Sequence, residues 1–216
     1  MAAETNGNGH INGQLPTFMK NKYEHIFHLL YDIQHDKNLS RQDFTKLKKK
    51  LVEMGNVEDG SEKCRLMQSR IDATWAGLMK GSRVYRKNSL QRHVSVPMWI
   101  DYWADFYEAA KAKGDWPSSS LSGNVDYQWH SEFVSLIFDA MDLNGDGVID
   151  KDEYSAFMKA FAYNGEGDPV KNFTILCQKN GDKLDRSYFA DLWYQYLMSD
   201  TLEDSPGNYL FGSSFS

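Results

Sequence analysis

The sequence predicts an all-α protein of four helix–loop–helix units, set in two pairs and packed into one compact globule, with two of the four loops degenerate. Three observations predict it. The first is residues 142–153, Asp-Leu-Asn-Gly-Asp-Gly-Val-Ile-Asp-Lys-Asp-Glu. They place Asp142, Asn144 and Asp146 at the first, third and fifth positions of a twelve-residue loop, the Val148 carbonyl at the seventh, Asp150 at the ninth and Glu153 at the twelfth. Calcium is a hard cation that takes six to eight oxygens, and this EF-hand spacing delivers them, with Gly147 at the sharp bend. The bland alternative is an acidic turn between two helices. It leaves the match at every ligand position, at the glycine and at the apolar Ile149 unexplained. The second observation is a repeat: Leu39, Val94, Ile149 and Leu184 at the eighth loop position, and Phe44, Trp99, Tyr154 and Phe189 at the thirteenth, share the same spacings. Internal copies of one EF-hand unit would give this. The third is helical periodicity, clearest in Phe18, Tyr23, Ile26, Phe27, Leu30 and Tyr31, which fall largely on one stripe.

Taken in order, residues 1–14 are mostly small and polar, rich in Gly and Asn, and read as a disordered tail. A helix is expected over 16–31, opened by a proline that tolerates a helix start. Loop one, 32–43, keeps Asp32 first, Asp36 fifth, the Asn38 carbonyl seventh and Ser40 ninth. Its departures are Gln34, a neutral amide at the third position, Lys37 in place of the glycine, and Asp43, one methylene short of glutamate, at the twelfth. A side chain held in left-handed φ costs on the order of 1–2 kcal/mol, and fewer oxygens suit magnesium better than calcium. Two readings stand side by side: a weak or magnesium-tolerant site built on Asp32, Gln34, Asp36, Asn38 and Asp43, and a purely structural loop.

Helices are expected over 41–54, 61–80 and 97–113. Between the last two, loop two (87–98) sets Lys87, Ser89, Gln91, His93, Ser95 and Met98 where acids belong, so no dication is expected there. Residues 114–124, rich in Ser and Gly with Pro117 among them, break the pattern and separate an N-terminal pair (15–113) from a C-terminal pair (125–198). Helices over 125–141 and 151–163 flank loop three, a turn follows at 165–169, and helices over 170–178 and 185–198 flank loop four. Loop four (177–188) offers Cys177, Lys179, Gly181, Lys183 and Asp185, and one carboxylate cannot hold calcium against water. Both degenerate loops are expected to persist as partners for backbone pairing near the eighth position. The segment 199–216 carries Tyr209, Leu210, Phe211 and Phe215 after a proline–glycine turn and should seek burial on the core; the alternative is a free peptide-like ligand for another protein.

Composition narrows the function. A net charge of −6 and a pI near 5.5 argue against a nucleic-acid partner. The basic cluster of Arg83, Arg86 and Arg92 reads as a solvated loop, or else as a site for an acidic partner or phosphate. No apolar run reaches the ~18 residues that span a bilayer, no signal-peptide core is present, and Ala2 stands where myristoylation needs glycine. Cys64 and Cys177 have no zinc or redox spacing and are expected as reduced thiols in a cytoplasmic protein.

These features resemble the invertebrate sarcoplasmic calcium-binding proteins and, more closely, calexcitin. The resemblance rests on the uneven repeat spacing, the strong third loop, the dead fourth loop and the ending Ser-Pro-Gly-Asn-Tyr-Leu-Phe-Gly at 205–212. It implies two EF-hand pairs in one globule with the C-terminal segment pressed against the interior. Calcium-regulated photoproteins and coelenterazine-binding proteins share this ancestry and line a cavity with Trp, Tyr and His. Trp75, Trp99, Trp103, Trp116, Trp129 and Trp193 admit that reading, with aromatic core packing as the simpler one. His25, His28, His35, His93 and His130 show no zinc spacing. Some insect relatives are described as juvenile-hormone diol kinases, but no run spells the phosphate-cradling Gly-x-x-x-x-Gly-Lys-Ser/Thr, and no enzyme activity is expected.

The expected function is therefore that of a cytoplasmic, monomeric calcium buffer, with calcium and, at loop one, magnesium as its ions. The alternative is a calexcitin-like regulator that docks on a membrane or protein target when calcium binds; a terpenoid-kinase-like or coelenterazine-type ligand binder is the minor one. A sensor would present a Met-rich groove, and the nine Met are scattered instead.

Overall fold

The computed structural model describes residues 15–81, 93–112, 128–161, 167–178, 181–203 and 205–212. The N-terminal tail, the 114–124 linker, Arg83, Arg86, Arg92 and most of loop two, Trp116 and Phe215 lie outside the described residues.

Helix α1 (Thr17–Ile26) starts after Pro16, whose carbonyl accepts the Lys20 amide at 3.0 Å. The helix expected to run on to residue 31 changes type: Phe27–Tyr31 is a π-helical turn, with the Asp32 amide donating to the Phe27 carbonyl at 2.8 Å. The wider turn buries Phe27, Leu29, Leu30 and Tyr31 together, more than an α-helical stripe would carry in one turn. Helix α2 (Arg41–Met54) opens with the Ser40 amide and hydroxyl donating to Asp43 Oδ2, each at 2.8 Å. Five elements follow, each within two residues of its expected bounds where described: α3 (Glu62–Gly81), α4 (Val96–Lys111), α5 (Gln128–Met141), α6 (Lys151–Phe161) and α7 (Pro169–Leu176). The last helix, α8 (Arg186–Met198), is capped by Asp185, which accepts the Tyr188 amide at 2.9 Å.

The loops pair as the repeat requires. Strand β1 (Asn38–Leu39) lies antiparallel to β2 (Val94–Ser95) with Leu39 opposite Val94. Strand β3 (Val148–Ile149) lies antiparallel to β4 (Leu184–Asp185) with Ile149 opposite Leu184. Each eighth-position residue is fully or almost fully buried, so each ribbon is a short hydrogen-bonded strip with its apolar side on the core.

Helix α3 packs along α5, and this seam joins the two halves. It needs Gly77: a Cβ there would stand 2.2 Å from Trp129 Cβ. At the same seam Arg70 donates to Asp139, which also accepts from Arg186 of α8, and Arg70 reaches the Ser135 carbonyl at 3.0 Å. A run of rings passes from one half to the other: Tyr31 stacks on Phe133 at 4.3 Å, Phe133 meets Trp193 at 5.9 Å, and Trp193 meets Phe211 at 4.8 Å. Among the described residues these rings pack the core.

The C-terminal segment closes onto that core. A 3₁₀ turn (Pro206–Tyr209) leads to Leu210 and Phe211, both without exposed surface. Lys22, equally buried, donates to the Tyr196 and Ser199 carbonyls and to Asn208 Oδ1. His25 Nε2 lies 2.8 Å from the Phe211 carbonyl.

Candidate metal centre

Loop three begins where α5 ends and closes where α6 begins. Its backbone wraps the Asp142 carboxylate: Oδ1 accepts the Gly145 and Asp146 amides at 2.8 and 3.1 Å, and Oδ2 accepts the Gly147 amide at 3.0 Å. Two left-handed residues, Gly145 (φ 76°) and Gly147 (φ 85°), turn those amides inward. Glu153, on the first turn of α6, folds back under the loop. Its Oε1 accepts the Leu143 and Asn144 amides at 2.9 and 3.1 Å, and its Oε2 accepts the Asp150 amide at 3.0 Å. Asp150 returns the bond, its Oδ1 capping the Glu153 amide at 2.9 Å. Asp142 and Glu153 are buried, whereas Asn144 and Asp146 face solvent. An open hollow of about 330 Å³ beside α3 reaches Asp142 and Gly145.

The residues read as ligands thus share one loop, with the twelfth-position carboxylate folded back beneath the third-position amide. In this arrangement their oxygens rest on loop amides. No three His, Cys, Asp or Glu side chains among the described residues close on a common point. The donor set itself, four carboxylates, one carboxamide and a backbone carbonyl, is all oxygen and suits a hard dication. Asp142, Asn144, Asp146, Val148, Asp150 and Glu153 would hold it.

Loop one repeats the scaffold with different side chains. Asp32 accepts the Asp36 and Lys37 amides at 3.1 and 3.0 Å, and Asp43 Oδ1 accepts the Gln34 amide at 3.0 Å. The two left-handed positions are filled by His35 (φ 56°) and Lys37 (φ 64°). Lys37 does adopt the conformation that its place in the loop demands. His35 occupies the place of Gly145, a second strained position that the ligand spacing alone did not flag. Two further contacts were missed in the sequence. The Gln34 Nε2 lies 3.4 Å from both Ser40 Oγ and Asp43 Oδ2, so the carboxamide bridges the loop from within. His28 Nδ1 lies 3.0 Å from Asp32 Oδ2, an i, i+4 contact across the π-helical turn. Asp32 and Asp43 are both fully buried. Asp36 and Asn38 bond each other's backbone at the solvent side, at 2.9 Å.

The other two loops serve as ribbon partners. Of loop two, His93, Ser95 and Met98 are described, flanking the β2 pairing. In loop four, Cys177 is buried and its thiol is pushed up to about 11 by burial and then by the Asp182 carboxylate. Asp185 is spent on capping α8, and Lys183 Nζ stands 3.8 Å from Asp146 Oδ2 of loop three. Lys63 of α3 reaches the same loop, donating to the Asp142 carbonyl at 3.3 Å.

Both helices of the loop-three hand are tied to their surroundings. Asp139, one turn before the loop, accepts from Arg70 and Arg186. Tyr154, the residue after Glu153, points its hydroxyl at the Tyr209 and Leu210 carbonyls, 3.1 Å from each.

Comparison with known proteins points to the same loop and to a shared fold. The EF-hand family pattern matches residues 133–158, which bracket loop three. The chain is 24% identical over 200 residues to the sarcoplasmic calcium-binding proteins II, V, VI and VII of Branchiostoma lanceolatum, covering 92% of this chain and 98% of theirs. It is 22% identical over 202 residues to calexcitin-1 of Caenorhabditis elegans, covering 90% and 86%. The solved sarcoplasmic calcium-binding protein from amphioxus superposes with a TM-score of 0.69 at 21% identity, covering 90% of this chain and 96% of that one. The resemblance to sarcoplasmic calcium-binding proteins and calexcitin read from the sequence is there among these relatives, and the fold is shared with the amphioxus protein.

Proposed function

We propose that this chain, an EF-hand protein with the fold of the sarcoplasmic calcium-binding proteins, is a calcium buffer whose strong site is loop three. Its ligands are the side chains of Asp142, Asn144, Asp146, Asp150 and Glu153 and the Val148 carbonyl. Loop one is the weaker partner. The Gln34 carboxamide already bridges Ser40 and Asp43, so a calcium or magnesium ion gains little there. The reading is of a monomeric, non-catalytic protein of the cytoplasm. Two buried free thiols, Cys64 and Cys177, are in keeping with a reducing compartment, and among the described residues no helix is long and apolar enough to cross a membrane.

The observation that carries the buffer reading is the occupied interior. Leu210 and Phe211 fill the space between the C-terminal helices, and Tyr154 and Lys22 hold the segment in place. A sensor exposes an apolar groove when calcium binds; here the groove already has an occupant from the same chain.

One feature favours a calexcitin-like regulator as the second reading. Tyr154 sits directly after Glu153 and bonds the tail, so a metal-driven shift of α6 would pull on that segment. Dye binding separates the two. The intact buffer takes up little hydrophobic dye with or without calcium, while a chain cut after Ser205 takes it up in both states and melts earlier. Strong calcium-dependent dye binding by the intact chain would establish the regulator instead.

A further inference from the structure

Loop four lacks a ligand set, yet one of its side chains reaches the loop that has one. The Lys183 ammonium lies 3.8 Å from Asp146 Oδ2. Its backbone is not free to drift: Leu184 pairs with Ile149 and Asp185 with Val148, and continuing that register sets Lys183 across the ribbon from Asp150. Lys183 therefore stands over the stretch of loop three that carries its fifth and ninth ligands. Among the described residues the first pair shows no such arrangement. By the same register, His93 stands across from Ser40, which carries no carboxylate.

We propose that Lys183 sets the affinity of the loop-three site. It acts as a tethered cation, supplied by the loop without ligands, that neutralises Asp146 in the metal-free protein and opposes the incoming dication. The inference rests on the reading of loop three as a calcium site. Asp146 is 46% exposed and Lys183 59%, so the contact is formed in high dielectric and is sensitive to salt. Its value as a bond in the resting fold is accordingly small. Its effect on a doubly charged ligand is larger, because the same ammonium repels two charges instead of pairing with one. The repeat keeps its fourth loop for the ribbon, and the ribbon places a regulator of the third.

The test is calcium titration of the full chain at about 20 mM and about 500 mM salt, where the screening length falls severalfold. Lys183→Gln should tighten loop three roughly threefold and Lys183→Glu roughly tenfold at low salt, with both gains collapsing at high salt. Lys183→Arg, which keeps the charge, and Lys159→Gln, exposed on α6 away from the loops, should match wild type. A second readout is melting without metal. Lys183→Glu should melt below wild type in chelator and gain more from added calcium, whereas a lysine of purely structural value would lower both states alike. Unchanged low-salt affinity in the Gln and Glu variants would overturn the proposal while leaving the site intact. A wild-type chain that takes up no calcium at loop three overturns the site reading itself. The two failures are therefore told apart.

Discussion

The Lys22 ammonium lies 2.9 Å from Asn208 Oδ1, although 186 residues separate them in the chain. Both side chains are fully buried. The ammonium has three donors, and the Tyr196 and Ser199 carbonyls take up the other contacts. Those carbonyls lie at the C-terminal end of α8, the negative pole of its dipole. Phe18 and Tyr196 present their rings at 5.0 and 5.3 Å. Asn208 in turn donates to Ser199 Oγ and to the Thr201 and Leu202 carbonyls.

Lys22→Met tests this junction at nearly constant volume. It strands three oxygens in an apolar interior and should lower unfolding stability by about 2–4 kcal/mol. It should also make the segment after Ser205 sensitive to protease. Urea unfolding reads the first effect and timed proteolysis with mass spectrometry the second; a variant as stable as wild type would show that the buried charge contributes nothing net.

Glu153→Gln removes one negative charge from the proposed loop-three site and weakens the grip of the twelfth position. Calcium affinity at loop three should fall by about two orders of magnitude, since affinity follows ligand charge and site rigidity. Glu108→Gln, exposed on α4, serves as control. Calorimetric titration giving equal losses in both would remove loop three as the site.

In loop one, Gln34→Asp supplies a carboxylate where the carboxamide now bridges, and Lys37→Gly removes both a cation and a left-handed side chain costing about 1 kcal/mol. The double variant should add a calcium heat in titration without changing loop three. If none appears, the loop is held shut by its ribbon partner.

His130 makes the metal-free fold sensitive to mild acid. It is fully buried among Trp103, Trp129 and Trp193, its Nε2 accepting the Trp193 indole N–H at 3.1 Å, and burial pushes its pKa from 6.5 to about 3. The unfolded chain takes up a proton below its ordinary value near 6.5 while the folded chain does not. Stability therefore holds above that pH and falls as pH drops from about 6.5 toward 3, by about 1.4 kcal/mol per unit from this group. Denaturant unfolding in chelator at pH 7 and pH 5 should show a smaller loss in His130→Gln than in wild type. Parallel losses would place the acid sensitivity elsewhere.

Much of this was legible because it is local. Ligand spacing gave loop three, and the eighth- and thirteenth-position series gave the helices that flank each loop and the facing pairs Leu39–Val94 and Ile149–Leu184. What escaped was set by partners distant in the chain or by conformations with no fixed sequence sign. Nothing near Lys22 announces that it will be buried against residues 196–208. Gly77 reads as a weak spot in a helix until Trp129 is laid against it. The π-helical turn at Phe27–Tyr31 follows from burying four neighbours at once. His35 became visible as a strained position only when its φ was compared with that of Gly145.

The clamp on Lys22 also orders the birth of the protein. Helix α1 leaves the ribosome among the first segments, but its lysine finds its last acceptor only when residue 208 has been added. At about 5–20 residues per second that wait is roughly 10–40 s. Through that interval the buried ammonium lacks its carboxamide acceptor, although Tyr23 of the same helix already has Trp99 and Trp103 of α4 to pack on. A nascent chain halted before residue 208 should therefore hold α1 folded but less firmly than the full chain does, whatever the calcium level.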